Sequence, residues 1–320
     1  MAPPQPRTFR RARTSRVLVA LLAAASLAAA GRPDEARRGV TAGPKVAHVV
    51  AAGDIACDPL DDDYHDGLGT GGFCRQMATS DLWVDDPGVD AALVLGDIQY
   101  EDGRLWKFQE SYDASWGRGL ERTLPAPGNH EYQTPGAAGY FDYFGEVAGP
   151  GWYSTDVGRW HVVSLNSICP PVDCSADGVQ MTWLKQDLAA DDSRCTLAFF
   201  HYPLTASVGP SGKPSYPQVR PFWRALFKDD ADLILVGHQH TYERFKKLTP
   251  KLEPAEDGIR QFIVGTGGRS VHQQDFVAPH SQFRARRLGV LHLELRPERY
   301  AYRFETIKGA VIDQGSGACV

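Results

Sequence analysis

The chain has 320 residues, 42% of them hydrophobic, and its 34 basic and 39 acidic side chains give a formal net charge of -5. That length and apolar content suit one large α/β domain with a sizeable core. The acidic balance argues against the basic stripe that a polymeric nucleic acid requires; the densest basic group, Arg284, Arg286 and Arg287, reads as a solvated loop.

The first elements in chain order concern export. Arg7, Arg10, Arg11, Arg13 and Arg16 precede an apolar stretch at 17–30 that ends Ala28-Ala29-Ala30, the pattern of a cleavable signal over residues 1–30. The stretch is shorter than the roughly 20 residues a spanning helix needs, so a secreted, extracytoplasmic protein without a stable membrane anchor is expected. Removing five arginines leaves 29 basic against 39 acidic residues, a charge of -10. Residues 31–44, rich in Gly, Pro and charge, read as a linker, and the catalytic domain is expected over 45–320.

From there, short apolar and β-branched runs at 46–52, 91–95, 160–165, 196–200, 233–236 and 261–264 predict buried strands. Between them, Leu105, Phe108, Tyr112 and Trp116 mark one helical face, as do Met181, Leu184 and Leu188, and then Val219, Phe222, Trp223 and Leu226. Runs at 288–295 and 300–306 predict a hairpin, and 152–165 with a turn near Gly158 predicts another. Alternating strands and helices with hairpins argue for an α/β layered fold, a mixed sheet or sheet pair flanked by helices. The acidic stretch at 58–66 lacks the spacing of an EF-hand loop and reads as a solvated loop.

The six cysteines, all beyond the signal, suit an oxidising compartment and allow 15 pairings. Local loop closure favours Cys57 with Cys74 and Cys169 with Cys174, leaving Cys195 with Cys319 to tie down the tail. No CxxC spacing supports a thiolate metal site.

Chemistry collects after the strands. The segment 53–56 is GDIA, 96–100 is GDIQY, 127–131 after the strand-like 123–126 is PGNHE, 199–203 is FFHYP and 237–245 is GHQHTYERF. Ligands in open α/β sheets bind beyond the carboxyl ends of strands, so Asp54, Asp97, Tyr100, Asn129, His201, His238 and His240 are expected to meet in one crevice. Seven oxygen and nitrogen donors are too many for one divalent ion but suit two sharing a carboxylate. Such donors without thiolate fit iron, zinc or manganese, and two such ions can clamp a phosphoryl group for in-line displacement.

This ordered set, with GTGG at 265–268, resembles the calcineurin-like metallophosphoesterases, and within them the purple acid phosphatases. The resemblance implies a layered metallophosphoesterase fold, mixed β-sheets sandwiched between helices (αββα), in a compact single-domain version. It implies that Asp54, Asp97, Tyr100 and His240 hold a first metal and Asp97, Asn129, His201 and His238 a second, with Asp97 bridging. Most of the superfamily supplies Asp and His from the first block; here Ala56 stands in the second place, and the resemblance gives that ligand role to Tyr100. A phenolate ligand implies iron(III) at the first site, with iron, zinc or manganese at the second. His130 is implied as the group that assists the leaving oxygen, and Glu131 as an orienting residue.

The expected reaction is hydrolysis of a small phosphorylated substrate, a phosphomonoester first and a diester such as a nucleotide or phospholipid second. Arg244 and Arg269 are candidates for contacting phosphoryl oxygens. A non-catalytic metal- or phosphate-binding protein is the competing class, and it would have no need of His130 beside Asn129.

Overall fold

The computed structural model describes residues 46–208, 216–274 and 276–320; the expected signal and linker lie outside them. The strands are, in chain order, β1 (Ala47–Ala52), β2 (Ala91–Leu95), β3 (Thr123–Ala126), β4 (Tyr153–Val157), β5 (Trp160–Ser164), β6 (Cys195–Phe200) and β7 (Leu233–Val236). There follow β8 (Tyr242–Leu248), β9 (Ile259–Val264), β10 (Ser281–Ala285), β11 (Gly289–Arg296), β12 (Arg299–Thr306) and β13 (Val311–Ala318).

Two sheets form. One has the order β13-β12-β11-β1-β2-β3 and the other β10-β8-β9-β7-β6-β5-β4. In the first, β1, β2 and β3 are parallel and β11 to β13 antiparallel. In the second, β5, β6, β7 and β9 are parallel, with antiparallel strands at both edges. Parallel strands covered on both faces read as unbroken apolar runs, which is why AALVL of β2 and LILV of β7 are buried at every position.

The sheets pack face to face. Val49, Ala51, Leu93 and Leu95 of the first share one core with Val162, Leu197, Phe199, Leu235 and Phe262 of the second. Outside the second sheet, Val163, Ala198, Phe200, Ile234 and Val236 pack against Met181, Leu184 and Leu188 of the helix Val179–Ala190 and Phe222, Trp223 and Leu226 of the helix Arg220–Lys228. Phe108, Tyr112, Trp83 and Trp116 join the core on the side of the first sheet. The layering is therefore helix, sheet, sheet, helix, as the resemblance implies.

Three differences have physical causes. The single helix expected through Leu105, Phe108, Tyr112 and Trp116 is instead a helical turn, a π-turn at Phe108–Tyr112 and a 3-10 stretch at Trp116–Arg122. The stripe still buries Phe108, Tyr112 and Trp116, so packing overrides helical regularity. The solvated loop expected at Arg284, Arg286 and Arg287 begins inside edge strand β10, whose Ser, Gln and Arg leave no apolar run to read. Strand β13 carries Gly315 and Gly317 because the rings of Tyr302 and Tyr300 cross it: an added Cβ would stand 2.6 and 2.5 Å from their atoms.

All three disulfides pair as expected: Cys57 with Cys74, Cys169 with Cys174, and Cys195 with Cys319. The third joins the first residue of β6 to the residue after β13, and so fastens the two sheets together.

Candidate metal centre

The carboxyl ends of β1, β2 and β3 in one sheet and of β6 and β7 in the other lie at the same end of the sandwich, and the seven expected residues converge there. Glycine lets the backbone close in. Gly128 sits so near β2 that a Cβ would come within 2.1 Å of the Asp97 nitrogen, and at Gly96 (φ 81°) it would meet the His201 ring at 2.7 Å. Asp54, Asp97 and His238 all adopt left-handed backbone, at φ 58°, 47° and 66°. Such conformations are uncommon for non-glycine residues and cluster at functional sites.

The phenol oxygen of Tyr100 lies 2.9 Å from Asp54 Oδ1, 3.1 Å from Asp97 Oδ2 and 3.0 Å from His240 Nε2. Tyr100 also donates its backbone N–H to the Ala56 carbonyl at 2.8 Å, so the phenol is anchored beside the position where alanine offers no ligand. One phenol proton cannot serve two carboxylates and an imidazole. On the other side, His201 Nε2 faces Asp97 Oδ2 and Asn129 Oδ1 at 3.1 Å each and His238 Nδ1 at 3.2 Å. With its Nδ1–H donated to the Leu95 carbonyl at 2.8 Å, Nε2 points a lone pair at other lone pairs unless a positive charge stands among them.

The electrostatics say the same. Burial opposes charge on His201, yet the Asp97 carboxylate raises it to about 9. Against the same cost of burial, His201 and His130 hold Asp97 well below the usual carboxylate range, and His240 lowers Asp54. Burial, then Asp54 and Asp97, raise Tyr100 well above an ordinary phenol, so it ionises only against a cation. Burial and neighbouring His201 push His238 down to about 3, the neutral state a ligand needs. Donor chemistry and crowding thus fit two metal ions, with Asp97 Oδ2 shared between the two halves. Asp97, His201 and His238 also form a group whose ligand atoms lie within 4.8 Å of one another.

Glu131 is fully buried beneath the centre. Its carboxylate accepts the backbone N–H groups of Asp97 (3.0 Å), Ile98 (2.8 Å), Gln99 (3.1 Å) and Gly128 (2.7 Å). It therefore holds the loop after β2 rather than the His130 ring. His130 stands at the rim, its Nε2 3.9 Å from Asp97 Oδ2 and its side chain 24% exposed; its backbone N–H donates to Asp97 Oδ1 at 2.8 Å.

The two arginines separate. Arg269 lies over the Tyr100 ring, 5.3 Å from its centroid, and is paired with Glu101 at 2.7 Å and Asp61 at 3.4 Å. Arg244 is elsewhere engaged: its guanidinium grips both oxygens of Asp313 at 2.8 and 3.0 Å and lies over Tyr302. That two-point pairing fastens β8 to β13 and commits the Arg244 guanidinium to Asp313.

Sequence reasoning passes over several neighbours. Ser270 Oγ pairs with His240 Nδ1 at 2.7 Å, and His272 stacks on His240 with centroids 3.9 Å apart. Tyr216 and Tyr202 flank His238. The loop after GTGG was a marker for the first two, whereas nothing local marks Tyr216.

Comparison with known proteins bears on this centre. Residues 43–242 match the calcineurin-like phosphoesterase family. Purple acid phosphatase 23 of Arabidopsis thaliana is 30% identical over 182 residues, covering 50% of this chain and 38% of that protein. Phosphoenolpyruvate phosphatase of Allium cepa is 27% identical over 274 residues, covering 71% and 54%. The chain thus spans about half the length, or less, of these relatives. Purple acid phosphatase PPD1 from yellow lupin (Lupinus luteus) seeds has the same fold, with TM-score 0.69, 21% identity, and 86% of this chain and 54% of that one covered. With family match, fold and donor cluster coinciding over the same residues, the chain belongs to the calcineurin-like phosphoesterase family.

Proposed function

We propose that this chain is an exported hydrolase of phosphate esters, acting on a small phosphorylated substrate with two metal ions. Asp54, Asp97, Tyr100 and His240 would hold the first, and Asp97, Asn129, His201 and His238 the second. The phenolate favours iron(III) at the first site and leaves iron, zinc or manganese for the second. Bound ions of this kind polarise the phosphoryl oxygens and provide the attacking oxygen nucleophile.

The chain's own residues supply the rest. Asp97 fixes the spacing between the two halves through one carboxylate oxygen. Glu131 keeps the Asp97 loop in place through three of its amides and ties it to Gly128 through a fourth. The His130 ring is outside the donor set, with Nδ1 bonded to the carbonyl of Glu101, so Nε2 is the nitrogen that can pass a proton to a leaving oxygen. This placement of His130 is the observation that carries catalysis over simple metal binding.

A phosphomonoester is the first-choice substrate. A diester is the second reading, and Arg269 favours it: a monoester dianion gains from an extra free cation, while Arg269 is already neutralised by Glu101 and Asp61. The test is hydrolysis of an aryl phosphomonoester and an aryl phosphodiester by the purified protein, with metals quantified in the same sample. Turnover with about two ions per chain is expected; turnover of neither ester by protein holding two ions would favour the binding class.

A further inference from the structure

We propose that Tyr216 is a positioning residue for His238, fixing which of its two ring nitrogens faces the second ion. The inference rests on the two-ion reading above and adds to it a residue outside the seven donors.

A neutral imidazole has one N–H and one lone pair, and the partner of the one decides the direction of the other. A nitrogen that binds metal must offer its lone pair, so the opposite nitrogen carries the proton and needs an acceptor. Two of the three imidazoles have theirs on their Nδ1 side: the Leu95 carbonyl for His201 at 2.8 Å and the Ser270 hydroxyl for His240 at 2.7 Å. Both therefore present Nε2 to the cluster.

His238 is turned the other way round. Its Nδ1 faces the cluster, 3.2 Å from His201 Nε2. Its backbone, left-handed at φ 66°, is held by an N–H bond to Asp54 Oδ2 at 2.8 Å. That leaves Nε2 on the outside, where the phenol oxygen of Tyr216 is its hydrogen-bond partner. With Nε2–H donated to this oxygen, the lone pair is fixed on Nδ1, where the donor set requires it.

The phenol is itself held. The Tyr216 ring stacks on Tyr202 with centroids 4.3 Å apart and planes 5° from parallel. Both rings stand nearly perpendicular to His238, at 89° and 84°, with centroids 4.8 and 4.7 Å away. The stack thus limits where the hydroxyl can go, while only the Tyr216 hydroxyl meets the imidazole. Loss of such an outer partner typically costs 10- to 100-fold in metal affinity.

The experiment loads the full chain with iron(III) and zinc and reads retention of each against a competing chelator. Tyr216→Phe keeps the ring stack and removes the oxygen; zinc affinity at the second site is expected to fall roughly 10- to 100-fold with iron retention unchanged. Tyr202→Phe keeps the stack and the Tyr216 hydroxyl, and is expected to match the wild type at both sites. Wild-type zinc affinity in Tyr216→Phe overturns the inference, as does equal loss of both metals, which would mark general loosening. A wild type that binds fewer than two ions sinks the two-ion reading and this inference together; two ions with an unaffected Tyr216→Phe sinks this inference alone.

Discussion

At His130 the backbone and the side chain do different jobs. The backbone N–H holds Asp97 Oδ1, a task any residue except proline would perform. The imidazole packs beside the Tyr100 ring, centroids 4.2 Å apart, but its Nε2 stays 3.9 Å from Asp97 Oδ2, beyond hydrogen-bond reach. Replacing it should therefore leave the metals in place and remove only proton transfer, which is worth roughly 10²- to 10⁴-fold. His130→Ala is expected to retain both ions and to lose about 100-fold or more in kcat, most with poor leaving groups; kcat against leaving-group pKa, with metal content beside it, checks this. An unchanged rate would remove His130 from the reaction.

At the scale of elements, the amino ends of β6 and β7 are joined by a buried carboxylate. Asp232 accepts the Thr196 N–H at 3.0 Å and the Val320 N–H at 2.8 Å, and burial raises it to about 6 despite these donors. Because the folded value lies above the ordinary one near 3.8, its stabilisation is complete below that value and is lost as pH rises through about 6. Asp232→Asn keeps a neutral group at every pH. The variant's stability relative to wild type is expected to improve between pH 4 and 7 by up to about 3 kcal/mol, since one pKa unit is worth about 1.4 kcal/mol. Denaturant unfolding at several pH values measures it; a difference flat with pH would show that Asp232 does not titrate in this range.

The same scale explains what could be read in advance. Strands β2 and β7 are legible because both faces are buried, so five and four apolar residues run together. The donors are legible because each follows such a run within a few residues. Strands β8, β10 and β13 mix charge or glycine among their apolar positions and so leave no apolar run. Ser270 and Tyr216 are illegible for another reason: each matters through a hydrogen bond to a histidine 30 or 22 residues away, and no local pattern encodes that meeting. The partner of Arg244 is illegible for the same reason, since its place inside the GHQHTYERF run says nothing of Asp313, 69 residues on.

For the whole molecule, the bond between Cys195 and Cys319 closes a loop of 124 residues, against 5 for Cys169 and Cys174. Loop entropy alone assigns about 5 kcal/mol to the first and about 2 kcal/mol to the second. The double variant Cys195→Ser with Cys319→Ser is expected to lose more stability than Cys169→Ser with Cys174→Ser, as measured by denaturant midpoint. Equal losses would show that chain entropy is not what the long cross-link contributes.

That cross-link sits at the amino ends of β6 and β7, whereas the donor cluster sits at their carboxyl ends, and both bridge the same pair of sheets. If the proposed ions are bound, the sandwich is latched at opposite poles by unlike fastenings, one answering to redox potential and the other to free-ion concentration. Its interior seam is weakest wherever surroundings are at once reducing and poor in metal, and strongest where neither holds.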